Sequence, residues 1–336
     1  MHNLGLVLIA QGHTDQARTW WQRAAEAGIA EAMTSLGVLL NEQGHTEQAR
    51  TWWQRAADAG NAIAMYNLGV LLDEQGHTED ARTWWQRAAD AGDTDAMTSL
   101  GVLLNEQGHT EDARTWYQRA ADAGNTDAMH NLGVLLNEQG HTEDARTWYQ
   151  RAADAGNTTA MYNLGVLLNE QGHTEDARTW YQRAADAGNT TAMCNLAVLL
   201  KEQGHTEQAR TWYQRAADAG NTDAMCNLGV LLNEQGHTEQ ARTWWQRAAD
   251  AGDAIAMHNL GVLLDEQGHT EDARTWWQRA ADAGDTDAMY NLGVLLDEQG
   301  HTEQARTWYQ RAADAGHAHA IHDLAELPRG QDLGPG

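Results

Sequence analysis

The tripeptide Gly-His-Thr occurs ten times, with its histidines at His13, His45, His77, His109, His141, His173, His205, His237, His269 and His301. The spacing is 32 residues throughout. A fixed period of this size means tandem copies of one small unit, because each copy can bury its apolar face only against a neighbour. A chain built this way grows along one axis, so its length of 336 residues does not require division into globular domains.

One copy, Ala32–Ile63, shows what the unit is. Met33, Leu36, Gly37 and Leu40 fall at i, i+3, i+4 and i+7, the stripe of an amphipathic helix. Gly44 is placed to close that helix in a left-handed conformation. Thr46 is expected as the next N-cap, with Glu47 in the first turn against the helix dipole. A second helix follows with Ala49, Trp52, Trp53 and Ala56 inward; Gly60 ends it and Asn61 caps the next first helix. Gly37 and the alanines permit close approach, and Trp52 and Trp53 are expected to fill the space between units. The expectation is an all-α solenoid, one domain over 1–327, with copies beginning near 1, 32, 64, 96, 128, 160, 192, 224, 256 and 288. A partial copy, 320–327, is stopped by Pro328, and 328–336 forms a flexible tail.

The charge, 48 acids against 22 bases for a net −26, disfavours nucleic acid and anionic lipid and favours cationic partners. Apolar runs such as Leu36–Leu40 are far shorter than the ~20 residues a membrane span needs. Met1–Ala10 has neither the basic region nor the cleavage site of a secretory signal, so the expected compartment is the cytoplasm. Cys194 and Cys226 occupy the same place in consecutive copies, where a helix separation of about 8–10 Å exceeds disulfide reach, and are expected as free thiols.

Leu36-Gly37, Gly44, Ala49, Trp53 and Ala56 match the small and large positions of tetratricopeptide repeats. The segment Trp116–Gly124, followed by Ala128-Met129 and Asn131-Leu132-Gly133, resembles Sel1-like repeats more closely still, with a turn (Gln43–Thr46) about four residues shorter. The resemblance covers residues 1–325. It implies a right-handed superhelix of helical hairpins and a scaffold that holds peptides or partner proteins in an inner groove lined by the first helices.

The copies vary unevenly. Leu36 has a leucine at all eleven equivalent places, whereas its neighbour runs His2, Thr34, Tyr66, Thr98, His130, Tyr162, Cys194, Cys226, His258, Tyr290 and His322. The helical stripe 31, 34, 38, 41 and 42 contains this position, and the resemblance places that stripe on the concave surface. The expected peptide-binding residues are Tyr66, Asp73, Glu74, Asp95, Asn105, Glu106, Asp127, His130, Asn137, Glu138, Tyr162, Asn169, Glu170, Cys194, Asp223, Cys226, Asn233, Glu234, His258 and Tyr290. Seventeen acids fall on the stripe, from Glu31 to Glu298, and Lys201 is the only fixed positive charge beside them. Such a trough should attract Lys- or Arg-rich segments, more strongly at low salt. Neutral drift at exposed positions is the competing explanation, and the recurrence of exposed Arg50, Thr51, Gln54 and Arg55 in every full copy argues against it.

Chemistry is poorly represented. One turn histidine per copy, spaced roughly 10 Å from the next, cannot supply a tetrahedral zinc cluster. His317, His319 and His322 are denser and form a weak metal candidate against the reading of exposed residues at a helix start. No nucleophile has a base partner, and no glycine cluster is followed by a lysine in phosphate-loop spacing. A non-enzymatic protein without cofactors is expected. Met1 aligns with Met33, so the chain begins inside a first helix, which suggests a fragment of a longer protein or an end that self-associates. The leading reading is a scaffold for an extended or helical cationic segment; the alternatives are a head-to-tail rod and a regulatory segment of a larger protein.

Overall fold

The computed structural model describes residues 2–327, which contain 21 α-helices and no strand. The described residues divide into two compact units on either side of the 171/172 boundary. The first unit holds α1 (His2–Ala10), α2 (Thr14–Glu26), α3 (Ala30–Glu42), α4 (Thr46–Asp58), α5 (Ala62–Glu74) and α6 (Thr78–Asp90). It continues with α7 (Thr94–Glu106), α8 (Thr110–Asp122), α9 (Thr126–Glu138), α10 (Thr142–Asp154) and α11 (Thr158–Glu170). The second holds α12 (Thr174–Asp186), α13 (Thr190–Glu202), α14 (Thr206–Asp218), α15 (Thr222–Glu234) and α16 (Thr238–Asp250). It ends with α17 (Ala254–Glu266), α18 (Thr270–Asp282), α19 (Thr286–Glu298), α20 (Thr302–Asp314) and α21 (Ala318–Glu326). Odd-numbered helices are called A and even-numbered helices B. Within each unit an A helix packs on the B helix after it, and that B helix on the next A helix, as a repeat solenoid requires.

The packing follows from residue size. In α3 the side chains of Met33, Leu36, Leu39 and Leu40 are buried, each leucine contributing roughly 1.5–3 kcal/mol. In α4, Ala49 and Ala56 are fully buried, so the helix backbones themselves approach. Trp53 is buried against Gly37, where a Cβ would overlap the indole ring. Its Nε1 donates to the Thr34 carbonyl at 3.2 Å, tying the B helix to the A helix of the same hairpin. Trp52 differs from expectation: it is half exposed and carries the Arg55 guanidinium 4.4 Å from its ring centroid. Only the second aromatic of each pair, tryptophan or tyrosine, is the wedge.

Both turns close alike and open differently. Gly44 has φ 79°, and His45 N–H bonds Leu40 C=O at 2.8 Å, the 6→1 bond of a Schellman cap. Gly60, at φ 89°, does the same with Asn61 N–H and Ala56 C=O. Asn61 then caps α5, its side chain accepting from Ala64 N–H at 2.9 Å. Thr46 does not cap α4. The cap residue is His45, with ψ 53° and no side-chain bond, because the compact Gly44-His45 turn starts the helix at Thr46 itself. The partial copy is α21, which begins at Ala318, two residues before the expected start. The expected stop at Pro328 and the tail lie outside the described residues.

Candidate functional site: grooves between A helices

In each unit the A-helix faces carry the expected stripe, and grooves open between neighbouring A helices. In the first unit, Val38, Asn41 and Glu42 of α3 face Asn67, Val70 and Glu74 of α5 across a cavity of about 260 Å³ floored by Trp53. The α9/α11 groove repeats the pattern with Asn137, Glu138, Asn163 and Glu170 over Tyr149, about 220 Å³. In the second unit the α17/α19 groove has Asp265, Glu266 and Glu298 over Trp277, about 230 Å³. Asp73, Glu74 and Glu106 come together in a larger α5/α7 cavity of about 390 Å³. Asn105, Asn169, Asn233 and Glu234 are exposed at the same helix ends.

Outside α21, where His322 is exposed, the variable position is not open surface. Thr34, Cys194 and Cys226 are buried, and Tyr66, His130, Tyr162, His258 and Tyr290 are half-buried. Most of these side chains reach the next copy. His130 Nε2 accepts from Asn163 Nδ2 at 2.9 Å, with Nδ1 3.1 Å from the side-chain Oδ1 of Asn131. That arrangement needs the neutral ring, and burial holds the His130 pKa below its usual value. Cys194 and Cys226 accept from Asn227 and Asn259 at 3.6 and 3.8 Å. Tyr290 donates to Asp323 at 2.9 Å, and His258 Nδ1 lies 3.3 Å from Asp285. Most of the partners, Asn163, Asn227, Asn259 and Asp323, directly follow the variable residue of the next copy and are not among the residues expected from the sequence. The signal was the Asn or Ser that directly follows almost every variable residue.

The acids of the first turn are also engaged. Asp95 and Asp127 are exposed but accept from Asn125 and Asn157 at 2.8 and 2.9 Å, the residues that cap the following A helices. Asp223 occupies the equivalent exposed place in α15. The stripe therefore has two ends. Its N-terminal end binds copy to copy, and its C-terminal end presents carboxylates to the grooves.

Those carboxylates are placed against helix electrostatics. Every A helix from α3 to α19 ends on a glutamate, and only α13 has a base, Lys201, in its last turn. A negative charge there faces the negative end of the helix dipole, unfavourable by ~0.3–1 kcal/mol. The full B helices also end on an acid, Glu26 in α2 and an aspartate in the others, but each carries an acid in its first turn and an arginine in its last turn to offset it. The groove field reaches its floor: burial, with Glu106 and Glu138 adding to it, pushes the Tyr117 hydroxyl up to about 12. Lys201 pairs with Glu234 at 2.8 Å, so the second unit cancels one groove charge internally. Burial, with Asp253 and Asp223 adding to it, pushes the Cys226 thiol up to about 12, and burial raises Cys194, so neither is an activated nucleophile.

The ten turn histidines are exposed at the starts of B helices. His317 caps α21 by accepting from Ala320 N–H at 3.1 Å, stacks on Tyr290, and approaches Asp287 at 3.1 Å. His322 instead faces Glu326 at 3.4 Å, and His319 lies near Tyr290 and His317. Among the described residues no three His, Cys, Asp or Glu gather as a metal site requires, and no helix is long and apolar enough to cross a membrane.

The tetratricopeptide repeat family profile matches residues 2–62, 42–96, 66–128, 98–158, 130–192, 194–257 and 258–319. No curated protein matches the chain by sequence. Among solved structures it is similar to a protective antigen present in uropathogenic Escherichia coli strains that displays an SLR fold. That likeness has a TM-score of 0.72 and 24% identity, covering 97% of this chain and 79% of the other. A Sel1 repeat protein from Oxalobacter formigenes is similar at TM-score 0.67 and 25% identity, over 83% of this chain and 90% of its own.

Proposed function

Because the chain belongs to the tetratricopeptide repeat family, whose members and Sel1 relatives generally act as protein-interaction scaffolds and are typically non-catalytic, we propose that it holds a cationic protein segment along its A-helix grooves. The observation that carries this reading is the glutamate ending each A helix from α3 to α19. Packing does not demand it, since these carboxylates are exposed, and the helix dipole opposes it. The acids that end the B helices share this disadvantage but sit beside a last-turn arginine, which the A helices lack outside α13, and a cationic ligand that meets the A-helix glutamates accounts for the difference. Asparagine, aspartate and valine beside it give the grooves hydrogen-bonding and apolar surface as well as charge.

The test is the triple variant Glu106→Lys, Glu138→Lys and Glu170→Lys. Relieving three unfavourable dipole contacts should stabilise the fold by ~0.3–1 kcal/mol each at low salt, seen as a higher unfolding midpoint. The same change should abolish salt-sensitive capture of Lys/Arg-rich segments. Retention of the same basic partners by this variant, at the same salt dependence, would refute the acidic-groove mechanism.

A further inference from the structure

Two A helices differ from the rest at adjacent places. α3 and α7 carry Thr34-Ser35 and Thr98-Ser99 where the others carry His, Tyr or Cys followed by Asn, or by Asp323 in α21. Smaller side chains leave space, and both pairs line large cavities: about 420 Å³ between α1 and α3, and about 390 Å³ between α5 and α7. The grooves with Asn at the second position hold about 260, 230 and 220 Å³. Both large cavities belong to the first unit.

Their walls differ in chemistry. Around the α1/α3 cavity stand Leu6, Ile9, Val38 and Ile63, with Glu31 and Glu42 at the side. Ile9 replaces the Asn or Asp of the other copies (Lys201 in one), and Ile63 replaces the acid present at Glu31, Asp95 and Asp127. Both isoleucines are exposed, 38% and 57%, with no core role to explain them. The α5/α7 cavity is rimmed instead by Asp73, Glu74 and Glu106. Trp85 lines it too, 6% exposed, and its buried Nε1 has no hydrogen-bond partner, unlike the Nε1 of Trp53.

Resting on the groove reading above, we propose that the first unit grips an extended cationic segment at two points: an apolar or aromatic side chain enters the α1/α3 cavity, and a lysine or arginine enters the α5/α7 cavity. The two cavities are two copies apart. Side chains of successive A helices reach each other directly, as His130 does Asn163, so one copy advances about 10 Å and the cavities lie roughly 20 Å apart. An extended chain covers about 3.3 Å per residue, so the apolar and basic anchors are about six residues apart. The cavity volumes lie at the low end of ligand pockets of ~300–1,000 Å³, and each accepts a side chain, not a helix. The flanking Glu31 and Glu42 explain why the apolar anchor belongs to a basic segment.

The probe is a fluorescein-labelled peptide with one tryptophan and an arginine pair six residues away, titrated into the full chain by fluorescence anisotropy. Controls replace the tryptophan by alanine, or set the spacing at three or twelve residues. The matched peptide is expected to bind at least tenfold tighter than any control. Ile9→Asn with Ile63→Asp, residue types that other copies carry there, should remove the tryptophan advantage and leave the alanine peptide unchanged. Thr98→Tyr with Ser99→Asn, the pair of α5, should refill the second cavity and erase the spacing preference. Equal binding of the tryptophan and alanine peptides, or indifference to spacing, overturns this proposal while the acidic groove stands. Absence of binding by every basic peptide overturns both. A change of sedimenting mass in the Ile9/Ile63 variant would show a second copy in the first cavity and overturn it too.

Discussion

Eleven A helices and ten B helices fill the described residues, and the two sets have diverged unequally. B helices repeat Arg, Thr, Trp, Gln and Arg at their exposed positions, and the ten guanidiniums in their last turns lie 4.1–5.5 Å over the tryptophan one turn before. A helices keep their leucines and change the residues that face the next copy. Recurrence on the B side has a structural cause, since those side chains support each other within a helix. Gln54, for example, donates to Asp58 at 3.0 Å. The A side carries acids that its helices do not need.

The largest effect expected on this comparison falls on the wedge that joins the two sides. Trp53→Ala should destabilise its surroundings by ~3–5 kcal/mol. Because a solenoid's contacts are local, hydrogen exchange should accelerate in α3–α5 and remain unchanged in α17–α19. Uniform acceleration along the chain would show that the copies melt as one body.

The glycine opposite the wedge gives the next effect. A methyl on Gly229 would overlap the Trp245 indole and disturb its bond to the Cys226 carbonyl. α13 already has Ala197 at this place, and its partner helix has Tyr213, a narrower wedge. Gly229→Ala should therefore cost ~1–3 kcal/mol, and Gly133→Ala, opposite Tyr149, clearly less. Equal losses in thermal unfolding would show that the wedge's shape is immaterial.

How far these features could be read in advance depended on their range. Periodicity and residue size are local, so the hairpin, the buried leucines, the glycine turns and the Asn61 cap were legible. The choice of His45 over Thr46 as cap was not, because it depends on how tightly the Gly44 turn closes. Trp52 and Trp53 are identical in composition and differ only in helical phase, and a shift of 100° separates a half-exposed stack from the core. The A-helix stripe was found as a set of positions. Its division into a bonded end and a groove end was hidden, because bonds such as His130 to Asn163 span 33 residues.

The turns offer a smaller test of the same contrast. Asn157 caps α11 through Ala160 N–H at 2.8 Å and also donates to Asp127, whereas His141 starts α10 with no side-chain bond. Asn157→Ala should lower stability by ~1 kcal/mol. His141→Ala should stay within about 0.5 kcal/mol of the parent. A comparable loss from both would mean that the histidine contributes to the turn by some contact other than capping.

The smallest effect concerns the B-side stacks themselves. Arg151 lies 4.1 Å from the Trp148 centroid and 4.0 Å from Asp122 of the preceding B helix, with about half of its side chain exposed. An exposed cation over an indole is worth ~0.5–1 kcal/mol, and an exposed ion pair at this distance less. Arg151→Met retains the aliphatic stem and removes the charge. A double-mutant cycle with Trp148→Leu should return a coupling of ~0.5–1 kcal/mol, whereas Asp122→Asn should return almost none in moderate salt. That outcome explains the recurrence of the arginine by a bond inside its own helix, repeated ten times, and requires no ligand on that side. A vanishing coupling to Trp148 would remove the structural cause and make the B surface, like the A grooves, a place where a partner must be sought.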